Sequence, residues 1–183
     1  LSAAGADFKA TVNNLGGDPE NPFVIFPESK TLYDNRREEL KVIVASKRAK
    51  EAEWAKSNPE LAEKKRRWFS RELPDIDWSG IEQTPNSATR AASATVLSEL
   101  AQVVDNMIVS SADLSNSDKT DGFLKHTHAF RKGDFSGSFL QAGVSEFTMS
   151  CLNIGMSLHG GVIPACGTFF AFSDYMKPSI RVA

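Results

Sequence analysis

Glu146 follows Gly143-Val144-Ser145 and opens a run that is apolar nearly all round, with Phe147, Met149, Cys151, Leu152, Ile154 and Met156. A carboxyl at such a place has two readings. The commoner is a first-turn acid that complements the positive end of a helix. The other is a partly desolvated group that shares a proton with a nitrogen base. Phe169, Phe172 and Tyr175 recur every three residues, a spacing that lines aromatic rings along one helix face, either as core or as a platform for a flat ligand. Asp113 and Ser117 follow a short apolar run and can bond their own turn or face a ligand. Arg90 reads first as a surface charge, although its rigid donor fork also suits phosphate. His126 and His128 lie in a polar loop without a third metal ligand, and His159 precedes Gly160-Gly161. No histidine is assigned a catalytic role, and no metal ligands are assigned. Gly-rich phosphate loops, nucleophile elbows and internal repeats are absent from the sequence.

The elements that must position these residues can be read from periodicity. The spacing predicts an amphipathic helix over 89–104 and a short buried strand over 107–109. Further strands are predicted over 138–142 and 162–166, with a helix over 146–158 between them. Short apolar strands alternating with helices imply a parallel sheet in an α/β layer. In such sheets ligands bind beyond the carboxyl ends of the strands. The segments 110–117, 143–146 and 167–175 all follow strands, so the candidate residues converge on one sheet edge. Before this unit, residues 1–30 read as loop, with Gly16-Gly17-Asp18-Pro19 and Asn21-Pro22 as turn signals. Residues from about 30 to 56 are dense in helix formers. Asn58-Pro59-Glu60 restarts a second helix that is expected to run to Leu73, before Pro74. The basic run Lys64-Lys65-Arg66-Arg67 has acidic neighbours and reads as a solvated face. Residues 74–86 are a linker.

The 183 residues suffice for one ordinary domain, or for a smaller one with a helical arm. With a formal net charge of −2, nothing points to bulk electrostatic binding of nucleic acid or a membrane surface. No stretch approaches ~20 consecutive apolar residues, so no membrane partner is expected. Cys151 and Cys166 are expected to be buried free thiols of a cytoplasmic protein. The sequence opens on Leu1 and closes on Ala183 with no helix-stop residue after Pro178-Ser179-Ile180. It is therefore expected to be an internal piece of a longer protein.

In order along the chain come Thr89-Arg90, Ser111-Ala112-Asp113-Leu114 with Ser117, Gly143-Val144-Ser145-Glu146 with Met149, His159-Gly160-Gly161, and Gly167-Thr168-Phe169 through Tyr175. That succession resembles the pyrimidine-binding domain of transketolases over residues 87–183. Residues 31–86, including Ala52-Glu53-Trp54, resemble the connecting arm before it, and residues 1–30 the end of a preceding diphosphate-binding domain. The resemblance implies the thiamine-diphosphate-binding fold, truncated here at its C-terminus. It also implies transfer of a two-carbon ketol unit from a ketose phosphate of the xylulose 5-phosphate type to an aldose phosphate of the ribose 5-phosphate type, in the pentose phosphate pathway.

Among site residues, the resemblance makes Glu146 the catalytic glutamate that hydrogen-bonds a ring nitrogen of the cofactor's aminopyrimidine. Phe172 would stack on the pyrimidine, with Phe169 and Tyr175 beside it and Asp113 near cofactor and substrate. Arg90 and Ser117 would hold the sugar phosphate. Thiamine diphosphate and Mg2+ or Ca2+ would be held by a domain absent from this chain, whose Gly-Asp-Gly motif is missing. The site would lie between the subunits of a homodimer, leaving the chain alone inactive. Ser145 stands where the family usually has arginine, and Gln141-Ala142 where it usually has His-Tyr, which puts the subunit contact in question. The alternatives are one half of a split transketolase acting as an assembly module, or a related thiamine-diphosphate enzyme such as a dihydroxyacetone synthase.

Overall fold

Hydrogen-bonding ends explain the first helical segment. In a computed structural model, which describes residues 2–183, Asp7 caps α1 (Phe8–Asn14) by accepting from the Ala10 N–H at 3.1 Å. Gly16, at φ +77°, closes it, with Gly17 N–H reaching the Val12 carbonyl. Residues 1–30, expected to be loop, thus hold a helix. It has only two turns and no apolar period to betray it, so its caps are the sole signal. A 31-residue helix, α2 (Pro27–Ser57), follows without a buried side chain. It is laced by pairs three or four residues apart, among them Arg36–Glu39 and Lys41–Glu38, both at 2.7 Å.

The chain divides into two compact units between Asn58 and Pro59. The second unit begins with α3 (Pro59–Phe69), four residues shorter than expected. Arg71 takes the left-handed conformation at φ +60°, while Glu72 N–H bonds the Arg67 carbonyl and Arg71 N–H that of Trp68. Together these bonds close the helix as glycine usually does. Arginine rarely occupies that conformation, so the stop was not visible in composition. The basic run is also more than a solvated face. The Trp68 indole N–H and the Lys64 ammonium both reach the Asp105 carboxylate, at 2.8 and 2.7 Å. These contacts hold α3 against the turn that leads into the sheet.

That turn follows α4 (Thr89–Val103) and precedes β1 (Met107–Ser111). Two short helices, α5 (Ser115–Asp118) and α6 (Asp121–Leu124), lead on to β2 (Phe139–Gln141). Next come α7 (Glu146–His159), β3 (Ile163–Gly167) and α8 (Ser173–Val182). The strands form one parallel sheet in the order β2-β1-β3. Val104, Met107, Val109, Phe123 and Phe139 make the core, with Leu97, Leu100 and Ile163 packed against it. Phe123 and Phe139 are fully buried, so this cluster fixes the sheet's register against α4 and α6.

α7 has one covered and one bare side, and the expectation for the cysteines is corrected. The helix is not buried all round: its inner side carries Glu146, Met149, Ser150 and Asn153, whereas Phe147, Leu152 and Leu158 remain exposed. Ser150 and Asn153 can be inside because each has a hydrogen-bond partner, Ser179 and Ser110 respectively. Cys151 is exposed on the outer side, and Cys166 is half-buried in β3. Both are free, and burial pushes the Cys166 thiol up.

Candidate functional site

β1 lies between β2 and β3, and a crevice opens beyond the exits of the three strands. Glu146 reaches that crevice from the exit of β2. Ala142 N–H extends the ladder to the Ser111 carbonyl, and Gly143 then turns the chain at φ +68°, a conformation that favours glycine. The Ser145 hydroxyl donates back to the Ala142 carbonyl at 2.7 Å. α7 therefore starts at the sheet edge, with Glu146 as its first residue.

Phe172 and Tyr175 arrive from β3. Phe169 leads into a tight helical turn, Phe170–Phe172, which runs directly into α8. The Phe172 and Tyr175 rings are near parallel, with centroids 6.3 Å apart and planes at 24°. Phe169 meets Phe172 at 6.0 Å and 44°. This is the offset and tilted packing that aromatic quadrupoles favour.

Together these segments enclose a cleft of about 540 Å³. Ala112 and Leu114 line it from the β1 exit, Glu146 and Phe147 from α7, and Phe172 and Tyr175 from the β3 exit. Glu146 is only 7% exposed, and its side chain makes no hydrogen bond or ion pair with any described residue. Its carboxyl oxygens are not sealed off: they open onto the cleft, where water or a ligand can satisfy them. Thr168 Oγ1, one residue past β3, is buried without a partner.

The structure brings together Glu146, Phe172 and Tyr175, with Phe169 touching the ring of Phe172. Asp113 sits between the two lining residues of the β1 exit, exposed and in the left-handed region at φ +64°. For a non-glycine residue that is a strained backbone of the kind found at ligand sites. Ser117 lies on α5, half-buried, with its hydroxyl donating to Asn116 Oδ1 at 3.2 Å. Arg90 is exposed in the first turn of α4, has no partner among the described residues, and does not line the cleft. The histidines are elsewhere: His126 pairs with Ser98, His128 with Ser136, and His159 with the Gly160 carbonyl. Among the described residues, no group of three or more His, Cys, Asp or Glu could hold a metal ion.

Sequence reasoning missed the cleft's apolar walls, Leu114 and Phe147. Each directly follows a residue it did single out, and that adjacency was the available signal. It also missed a polar cluster beneath the β1 exit. The Ser111 hydroxyl donates to Asp118 Oδ2 at 2.8 Å, while Thr120 donates to Oδ1 from both its N–H and its hydroxyl, each at 2.8 Å. The Asp118-Lys119-Thr120 spacing of an Asx turn was the sign of it.

Residues 86–183 match the family described as "Transketolase, pyrimidine binding domain". A transketolase of Bacillus subtilis is 40% identical over 136 residues, covering 72% of this chain and 20% of that protein. A chloroplastic transketolase of Arabidopsis thaliana is 34% identical over 183 residues, covering 97% and 24%. A crystal structure of the Pichia stipitis transketolase in complex with sedoheptulose-7-phosphate superposes with a TM-score of 0.76 at 28% identity. That match covers 96% of this chain and 27% of that one. The chain thus spans about a quarter of the length of the relatives it matches. With the family match running over more than half of its residues, the chain belongs to the transketolase family, and residues 86–183 are its pyrimidine-binding domain.

Proposed function

We propose that this chain supplies the pyrimidine-facing half of a thiamine-diphosphate site, in a protein that moves a two-carbon ketol unit from a ketose phosphate to an aldose phosphate. The observation that carries the reading is the unpartnered, buried Glu146 beside near-parallel aromatic rings. A flat heterocycle with a basic ring nitrogen would meet both needs at once. When bound, thiamine diphosphate supplies the carbon-centred chemistry; what this chain does is narrower. Glu146 holds a proton against a ring nitrogen, and burial strengthens that hydrogen bond. Phe172, with Phe169 and Tyr175, fixes the ring's plane, while Leu114, Val144 and Phe147 limit water at the cleft. Asp113 addresses the substrate hydroxyls, and Ser117 and Arg90 its phosphate.

The diphosphate and its cation, Mg2+ or Ca2+, are assigned to a domain outside this chain. Residues 31–86 are assigned to a connecting arm, and residues 1–30 to the end of that other domain. The exposed apolar side of α7, with Phe147 and Leu152, supports a homodimer in which a second subunit completes the site. No described helix is long and apolar enough to cross a membrane, and a cytoplasmic setting in the pentose phosphate pathway belongs to the same reading.

The test is two-carbon transfer by the full-length protein that contains this chain. Xylulose 5-phosphate and ribose 5-phosphate should yield a seven-carbon ketose phosphate only when thiamine diphosphate and Mg2+ are present. Failure to transfer, or transfer that ignores the cofactor, would refute it.

A further inference from the structure

Ser111, at the end of β1, and the nine residues after it form a closed loop of polar contacts. Leu114 N–H donates to the Ser111 hydroxyl oxygen at 3.2 Å, and that hydroxyl in turn donates to Asp118. Asp118 also takes both donors of Thr120, a residue only 4% exposed. One carboxylate, at the end of α5, therefore ties the strand end to Thr120, the residue that opens α6. It also anchors the loop to the neighbouring strand through Thr120. A Cβ placed on Gly167 would lie 2.4 Å from the Thr120 methyl carbon, so β3 leaves room for this side chain by having none of its own. Asp113 and Ser117 stand on the stretch thus held, and neither has a side-chain bond to another element that would fix it.

We propose that Asp118 is the positioning residue of the β1 exit. It acts on the phosphate of the sugar through Ser117 and does not touch the substrate itself. The proposal rests on the function proposed above. Its requirement is geometric: three donors must converge on one short side chain. Asparagine can keep that convergence, accepting from Thr120 with its oxygen and donating to the Ser111 oxygen with its amide. Alanine cannot, and it leaves buried donors unpaired.

The test uses the full-length protein, with Asp118→Ala, Asp118→Asn, Ser117→Ala and the Ser117/Asp118 double alanine variant. Asp118→Ala should raise KM for ribose 5-phosphate on the order of tenfold, with kcat and the KM for unphosphorylated ribose within about threefold. Asp118→Asn should restore most of the loss. The double variant should be no worse than the poorer single one, because both changes disable one contact. An unchanged KM in Asp118→Ala beside a raised one in Ser117→Ala would overturn the proposal. So would additive effects, or an asparagine variant as poor as the alanine. A silent Ser117→Ala would overturn the phosphate assignment on which the proposal stands. Should Asp118→Ala not fold, Thr120→Val, which removes one of the three donors, decides by the same KM criterion.

Discussion

At the scale of single residues, the site is defined by what Glu146 lacks. It opens a helix, as the commoner reading of such an acid requires, yet it is buried and its side chain bonds nothing among the described residues. An acid placed only to complement the helix end would do so equally well in water. The aromatic residues give this its context. Phe172 touches both Phe169 and Tyr175, and so it is the ring most able to fix a flat ligand. Phe172→Ala in the full-length protein should raise the apparent KM for thiamine diphosphate by roughly tenfold or more. Phe172→Tyr should cost little. Titration of activity with cofactor measures both, and an unchanged KM in the alanine variant would remove Phe172 from the cofactor's contacts. Arg90 has weaker support, being exposed in α4 and outside the cleft lining.

At the scale of elements, sequence patterning gave reliable cores and poor ends. α4, α7 and the three strands lie where periodicity put them, because each has an apolar repeat that tertiary packing rewards. The missed features depend on single dihedrals. α1 is set by Asp7 and Gly16, and the end of α3 by an arginine in a left-handed turn, neither of which alters an apolar period.

The anchoring of α3 has a pH signature. Burial alone would raise the Asp105 carboxyl, but hydrogen bonds from Lys64 and the Trp68 indole outweigh it, and the group lies below the usual carboxylate range. A carboxyl depressed in the folded state stabilises above its unfolded pKa of about 3.9 and loses that contribution as pH falls through the lower folded value. With Trp54 and Trp78 replaced by phenylalanine, Trp68 fluorescence should hold steady from pH 7 to about 5 and shift below about pH 4. In Asp105→Asn the shift should be absent. A transition in the wild type near neutral pH would contradict the anchoring.

At the scale of the whole molecule, the chain is, on the proposed reading, one wall of a site. It brings a carboxyl, a set of aromatic rings and a polar loop to the edge of a three-stranded parallel sheet. This much was legible in the sequence, because strand exits can be located without knowing side-chain geometry. The Asp118 cluster was legible only as an Asx-turn spacing, because its residues acquire meaning only when β3 comes to lie beside the β1 exit. The chain spans about a quarter of its relatives' length, and the proposed diphosphate side belongs to the remainder.

The most direct test of the central claim is the turnover of Glu146→Gln in the full-length protein under saturating cofactor and substrates. Glutamine keeps the shape of the side chain and loses the shared proton. The predicted result is a fall in kcat of roughly 100- to 10,000-fold, with the melting temperature unchanged or higher. A kcat within about threefold of the wild type would contradict the assignment of Glu146 to proton sharing.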